Sequence, residues 1–289
     1  MVQSSALSGL RPPDSRALRA LFGVLTGLYL ATVALATVAP EAAASVFLQI
    51  SLVFDGVTSG KVWMLASYAL FHDLNFRAPL LDLALGALLI AGLVVGLRSE
   101  FGRRETGVVF IGAFVGMLLL QNLGYGAVFH LLGNLLTLWF FAPEFARRWG
   151  DSQMLRFFAG CVVGGAVFAS LVSLIAPGSA GFSVLGASAG AIGLLTAFAV
   201  YFPDVPVFAS ILVPVKAKHL VLIVVLFDLV SAAAPGPEPT LWLHLGGIGT
   251  AFLVTTGYWR PKKLRDRFAG TSPARKSHLR VVKKDDWLH

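Results

Sequence analysis

Apolar runs long enough to cross a bilayer recur between Ala20 and Tyr258, and this repetition decides what the chain can become. A spanning helix takes about 20 mostly apolar residues. Candidate runs occupy residues 20–39, 79–97, 107–120, 128–142, 155–176, 184–202, 220–234 and 241–258, which predicts an all-α polytopic membrane protein. With 56% hydrophobic and only 13% charged residues, a soluble enzyme, a disordered scaffold and a nucleic-acid-binding domain are excluded. The expected partner is therefore the lipid bilayer. The lone Cys161 excludes an intramolecular disulfide.

Positive charge orients the spans. With a cytoplasmic amino terminus and every run spanning, 21 of the 23 Lys and Arg residues fall on the cytoplasmic side, leaving only Lys61 and Arg77 outside. The first run follows Arg11, Arg16 and Arg19 without a small-residue cleavage motif and reads as a retained signal anchor. Pro40 ends it, and 44–74 reads as a loop with short interfacial helices. Runs 107–120 and 128–142 are short and separated only by 121–126, so they read as two spans or as one kinked, re-entrant unit. This divides the chain into a cytoplasmic segment 1–19, a transmembrane domain 20–259 and a basic cytoplasmic tail 260–289, expected to be disordered.

A few polar residues interrupt the apolar runs. Gly186-Ala-Ser188-Ala-Gly190 fits G-x-S-x-G, but the hydrolase elbow of that pattern needs a preceding strand and a soluble fold. Ser188 instead opens an apolar helix, where a serine commonly bonds back to a carbonyl. His244 lies near the start of the last run, and a histidine there is costly unless it faces a polar interior. Gly246, Gly247 and Gly249 on its helix, with Gly186 and Gly190 beside Ser188, permit an approach that would bring Ser188 and His244 within hydrogen-bond reach. His130 and Asn134, spaced i, i+4, share one helix face. They read either as interhelical hydrogen-bonding groups or as donors of an oxyanion hole. His72, beside Asp73, reads as solvated loop surface in preference to a metal or proton site.

Together these residues resemble the rhomboid family of intramembrane serine proteases. The resemblance covers about 129–258: His130-Leu-Leu-Gly-Asn134 with Glu144-Phe-Ala-Arg147-Arg-Trp-Gly150, then Gly186-Ala-Ser188, then His244-Leu-Gly-Gly247, in the family's order. It implies a six-helix core, here with two helices inserted before the H-x-x-x-N helix, at about 79–122. It also implies Ser188 as nucleophile and His244 as general base, a dyad without an acidic third member. His130, Asn134 and the Ser188 backbone N–H would form the oxyanion hole, with Gly186 at the substrate-binding edge. A transmembrane substrate is implied, and no cofactor or metal. Asp228 falls where the family's fifth helix meets a mobile cap, here 231–240, and is expected to be solvated.

The chain departs from the family at Ala189, usually Gly, and at Ile192, usually an aromatic that stacks on the histidine, which predicts a less firmly oriented His244. The Trp63-Met64 and His72 loop precedes His130 by about 55 residues rather than shortly. A catalytically inactive relative that binds transmembrane helices is the first alternative; its weakness is that a binder needs neither Ser188 nor His244. A transporter or channel is the second, and the clustering of polar residues near one membrane face opposes it. Neither H-E-x-x-H nor G-x-G-D occurs, which disfavours zinc and aspartyl intramembrane proteases.

Overall fold

A computed structural model describes residues 15–74, 78–81, 83–84, 86–87, 127–175, 183–210, 213–232, 239–258 and 260. The chain enters through α1 (Arg16–Val38), whose start is capped by Ser15 Oγ accepting from the Leu18 N–H at 3.0 Å. Pro40, which cannot continue α1, supplies the first residue of α2 (Pro40–Ile50). The short α3 (Phe54–Thr58) and α4 (Met64–Ser67) follow, the latter passing into a 3₁₀ turn at Tyr68–Leu70. The connector of short helices expected for 44–74 is therefore present, although its first helix begins at Pro40. Residues 79–81, 83–84 and 86–87 are helical, and the rest of the expected inserted spans lies outside the described residues. The same holds for residues 1–14 and the basic tail from 261.

Two long antiparallel helices come next, α5 (Ala127–Trp149) and α6 (Asp151–Ile175), separated by Gly150 alone. With α1 they are long and apolar enough to cross a membrane. Helix α5 runs past Pro143 for almost two turns beyond the expected end at 142. The reading of 128–142 as half of a re-entrant unit is thereby replaced by a complete helix. Asp151 Oδ2 accepts from the Ala17 N–H at 3.1 Å, tying the start of α1 to the α5–α6 turn.

Helix α7 (Ser188–Tyr201) corrects the expected span 184–202. Its 14 residues give about 21 Å of helix, short of a hydrocarbon core of ~30 Å. Residues 188–197 are buried on every side, so protein rather than lipid surrounds it. An unexpected hairpin follows, with β1 (Pro206–Ser210) paired antiparallel to β2 (Val213–Lys216), Val207 opposite Val215. Its short Val- and Pro-containing segments suit extended chain better than helix. Lys218 and Lys216 both bond Asp204, at 2.9 and 3.2 Å, and hold its carboxyl below the usual carboxylate range. Helices α8 (Ala217–Ala232) and α9 (Pro239–Thr256) complete the bundle.

Close backbone approach sets α7 against α6 and α9. A Cβ on Gly247 would fall 2.6 Å from the Ala189 carbonyl oxygen, and one on Gly165 would fall 2.7 Å from the Leu243 carbonyl oxygen and 2.8 Å from Ala189 Cβ. Small residues are needed because no apolar solvent penalty drives helices together in lipid; packing does. The outer surface is strongly apolar, with Phe140, Leu171, Ile175, Leu226, Phe227 and Leu253 exposed. Such a surface suits lipid contact, and the chain is an integral membrane protein. Arg147, Arg148, Lys216 and Lys218 lie at the end of the bundle where α5 and α7 finish and α8 starts. The opposite end, where α5, α7 and α9 start, holds the polar residues.

Gly247→Ala is expected to lower the thermal unfolding midpoint in detergent, at a cost of about 1–3 kcal/mol from overpacking. Gly249→Ala, with nothing within 4 Å of its Cβ, is expected to leave it unchanged or raised. Parallel thermal scans of the two variants check the pair.

Candidate active site

The segment leading into α7 is non-helical chain inside the protein, extended at Val184 and bent at Gly186 and Ala187, so its backbone groups need partners. Those partners come from the connector after α2. Leu52 and Val184 exchange two backbone hydrogen bonds, each 3.0 Å; the Gly186 N–H donates to the Tyr68 carbonyl at 2.9 Å; and the Ala187 N–H donates to His72 Nε2 at 3.4 Å. Tyr68 is itself anchored to α6 through its hydroxyl, which donates to the Val162 carbonyl at 2.8 Å. Gly186 has φ +124°, a conformation that side-chain-bearing residues rarely adopt, and a Cβ there would collide with the His130 ring. This glycine both turns the chain into α7 and seats the imidazole.

Ser188 is the first residue of α7. Several hydroxyls in the bundle follow the ordinary pattern for apolar helices: Thr32, Thr196 and Thr250 each donate to the carbonyl four residues back, at 2.8–3.0 Å, whereas Ser170 Oγ on α6 is buried without a partner. Ser188 Oγ, only 4% exposed as a residue, makes no such bond and has no partner. No side chain caps α7 at Ala187, so the N–H groups of its first turn point out of the helix without a capping acceptor. The partial positive charge of a helix start is thus placed at Ser188.

His244 lies on α9, one turn before Gly247, which abuts Ala189. The i, i+3 spacing puts His244 on the same face of α9 as Gly247, the face that meets α7. Its Nε2 is buried without a partner, while Nδ1 lies 2.8 Å from Asp228 Oδ2 on α8. Asp228 is 7% exposed. The solvation expected for this carboxylate is not found: the end of α8 packs inward against α9 instead of reaching water.

His130 packs edge-on against His72, with ring centroids 5.4 Å apart, and Asn134 Nδ2 lies 3.1 Å from His72 Nε2. His72 is fully buried, which corrects its reading as loop surface. Burial, and secondarily the neighbouring His130, pushes the His72 imidazole down to about 3. The ring is therefore neutral near pH 7, and Nε2 acts as the acceptor for both Asn134 and Ala187. With one Asn134 N–H held by His72, the other stays available on the same amide. Among the described residues no group of three His, Cys, Asp or Glu side chains comes together as a metal site.

The family model of the rhomboid domain matches residues 117–261, just over half of the chain. This chain is a member of the rhomboid family. No curated protein and no solved structure matches it. The match spans the H-x-x-x-N helix, the Ser188 turn and the His244 helix, yet leaves out Leu52, Tyr68 and His72, which hold the rhomboid's Ser188 segment in place. Of the residues singled out from sequence, the fold gathers Gly186, Ser188, His130, Asn134 and His244 at one end of the bundle. It adds Asp228 and His72. A signal for both was legible, since a carboxylate inside an apolar run and a histidine beside one are costly without partners. Trp63 stays apart, half exposed, its indole N–H donating to the Gln49 carbonyl at 2.9 Å.

Replacing His72 by Leu leaves the Asn134 amide and the Ala187 N–H without their acceptor. It is expected to destabilise this rhomboid by about 1–3 kcal/mol, seen as a lowered thermal midpoint in detergent. An unchanged midpoint would mean that His72 does not hold the segment.

Proposed function

We propose that this rhomboid-family protein is an active intramembrane serine protease that cuts a membrane-protein substrate in or next to its transmembrane helix. The observation that carries the reading is a pair of buried atoms, Ser188 Oγ and His244 Nε2, each without a hydrogen-bond partner at the same end of the bundle. Leaving two buried atoms unpartnered costs stability, and these two lie on α7 and α9, which pack against each other at Ala189 and Gly247. Catalytic hydrogen bonds are often unmade in the free enzyme and tighten when substrate arrives.

In this reading His244 Nε2 takes the proton of Ser188 as Oγ attacks the scissile carbonyl, and later returns it to the leaving amine. The negative charge on the tetrahedral intermediate falls between the Ser188 N–H at the start of α7, the free Asn134 N–H and His130. The acyl-enzyme is then released by water. No cofactor is required. Gly186, without a side chain, leaves room for the substrate backbone. A peptide bond inside a stable helix is protected, so the favoured substrate region is helix-breaking with small residues at the cut.

The basic residues at the opposite end of the bundle support an orientation with the site near the outer face and both termini cytoplasmic. A bacterial plasma membrane fits this reading. The short α7 supports a depth for Ser188 below the surface of the hydrocarbon core rather than at it.

Purified protein in detergent, mixed with a single-span substrate bearing small and helix-breaking residues near its outer end, is expected to release two fragments. Ser188→Ala and His244→Ala are each expected to lower the rate by at least ~10³-fold. Wild-type protein that cuts none of several substrates would overturn the protease reading and leave a helix-binding relative in its place.

A further inference from the structure

We propose that Asp228 is a positioning residue that completes a Ser188–His244–Asp228 triad, holding the His244 ring in the tautomer that leaves Nε2 free for Ser188. The inference deepens the protease reading and rests on it.

The first support is geometric. Asp228 Oδ2 lies 2.8 Å from His244 Nδ1, both side chains are about nine-tenths buried, and the other ring nitrogen, Nε2, is the one without a partner. An ionised carboxylate can only accept a hydrogen bond, so Nδ1 must carry the proton of the neutral ring and Nε2 must present its lone pair. That is the tautomer a general base for Ser188 requires. When His244 takes the serine proton, the nearby carboxylate balances the resulting imidazolium, an interaction made strong by the low dielectric of the interior.

The second support lies in what else could orient the ring. Ile192 stands one turn after Ser188 on the same face of α7 and offers neither an aromatic surface nor an acceptor. His130 packs edge-on against His72, with its ring in the space that a Cβ on Gly186 would need, and makes no hydrogen bond to His244. Asp228 is the side chain bonded to His244 among the described residues.

A third consideration is placement. Asp228 sits on α8, one turn before the helix ends, whereas Ser188 and His244 sit on α7 and α9, which are locked together by backbone contact at Gly247 and Ala189. The third member thus belongs to a different helix from the other two. Displacing the end of α8 would break the bond to Nδ1 without disturbing the pairing of α7 with α9.

The test compares Asp228→Asn with Asp228→Ala on the full-length protein, reading kcat, KM, thermal midpoint and the ¹⁵N resonances of the histidine rings, with His244→Gln used to assign them. The expected result is a fall in kcat of at least ~10²-fold for both variants, with KM changed less than about threefold. The near-isosteric Asp228→Asn, which can still bond His244, should keep the wild-type thermal midpoint. Wild-type His244 should show a protonated Nδ1 and an unprotonated Nε2. If Asp228→Asn keeps full activity while Asp228→Ala loses activity and stability together, Asp228 is only a tether and the proposal fails. Full activity in both variants overturns it as well, as does a wild-type ring protonated at Nε2. Wild-type protein that cuts nothing defeats the protease reading instead, and the ring resonances then decide the placement of the proton separately.

Discussion

Everything at the polar end of the bundle depends on hydrogen-bonding one stretch of non-helical backbone in a place where water cannot do it. Between Val184 and Ala187 the chain is not yet helical, and exposed backbone in an apolar medium costs several kcal/mol per group. Leu52, Tyr68 and His72 meet that need in succession. They also fix where α7 begins. Because Gly186 takes φ +124° and the residues before it are pinned as extended chain, the helix cannot start earlier than Ser188. A serine that would otherwise sit a turn inside a helix, bonded to its own backbone, is left at the helix start with its hydroxyl unpartnered.

The second constraint is packing. Helices α6, α7 and α9 meet at Gly165, Ala189 and Gly247, close enough that a methyl group would not fit. That contact does for His244 what the pinned loop does for Ser188: it sets the height and face of the side chain. The polar cluster and the tight core are therefore consequences of the same small residues. Stability and site geometry cannot be varied independently in this rhomboid, because the glycines that allow the helices to touch are the ones that place the imidazole.

Much of this was legible in the sequence, for reasons that differ residue by residue. The i, i+4 pair His130 and Asn134, the Gly186-Ala-Ser188 turn and His244 with its glycines stand out because polar residues in apolar runs are expensive and few. The family likeness, read from those motifs, agrees with the rhomboid match over 117–261. What failed were readings made from position along a run. Asp228 and His72 lie near run ends, where solvent is the simple expectation, and both proved to be buried and hydrogen-bonded. Long-range pairing is not encoded in local pattern: nothing near Leu52 announces that it bonds Val184, 132 positions later. Residues 184–187 fall within the expected span 184–202 for the same cause, since Val184 is as apolar as a helical residue and only its distant partner makes it extended, although the expectation that Ser188 opens the helix agrees with the start of α7. The hairpin at 206–216 was overlooked because its valines read equally well as the edges of neighbouring spans.

The central claim is that Ser188 is an activated hydroxyl rather than a packing residue. It is tested most directly by treating the purified protein with a fluorophosphonate and locating the adduct by mass spectrometry. The account predicts one added phosphonyl group, mapped to Ser188, absent from Ser188→Ala and strongly slowed in His244→Ala. An unmodified Ser188 under conditions that label a soluble serine protease, or an adduct formed equally fast without His244, would contradict it.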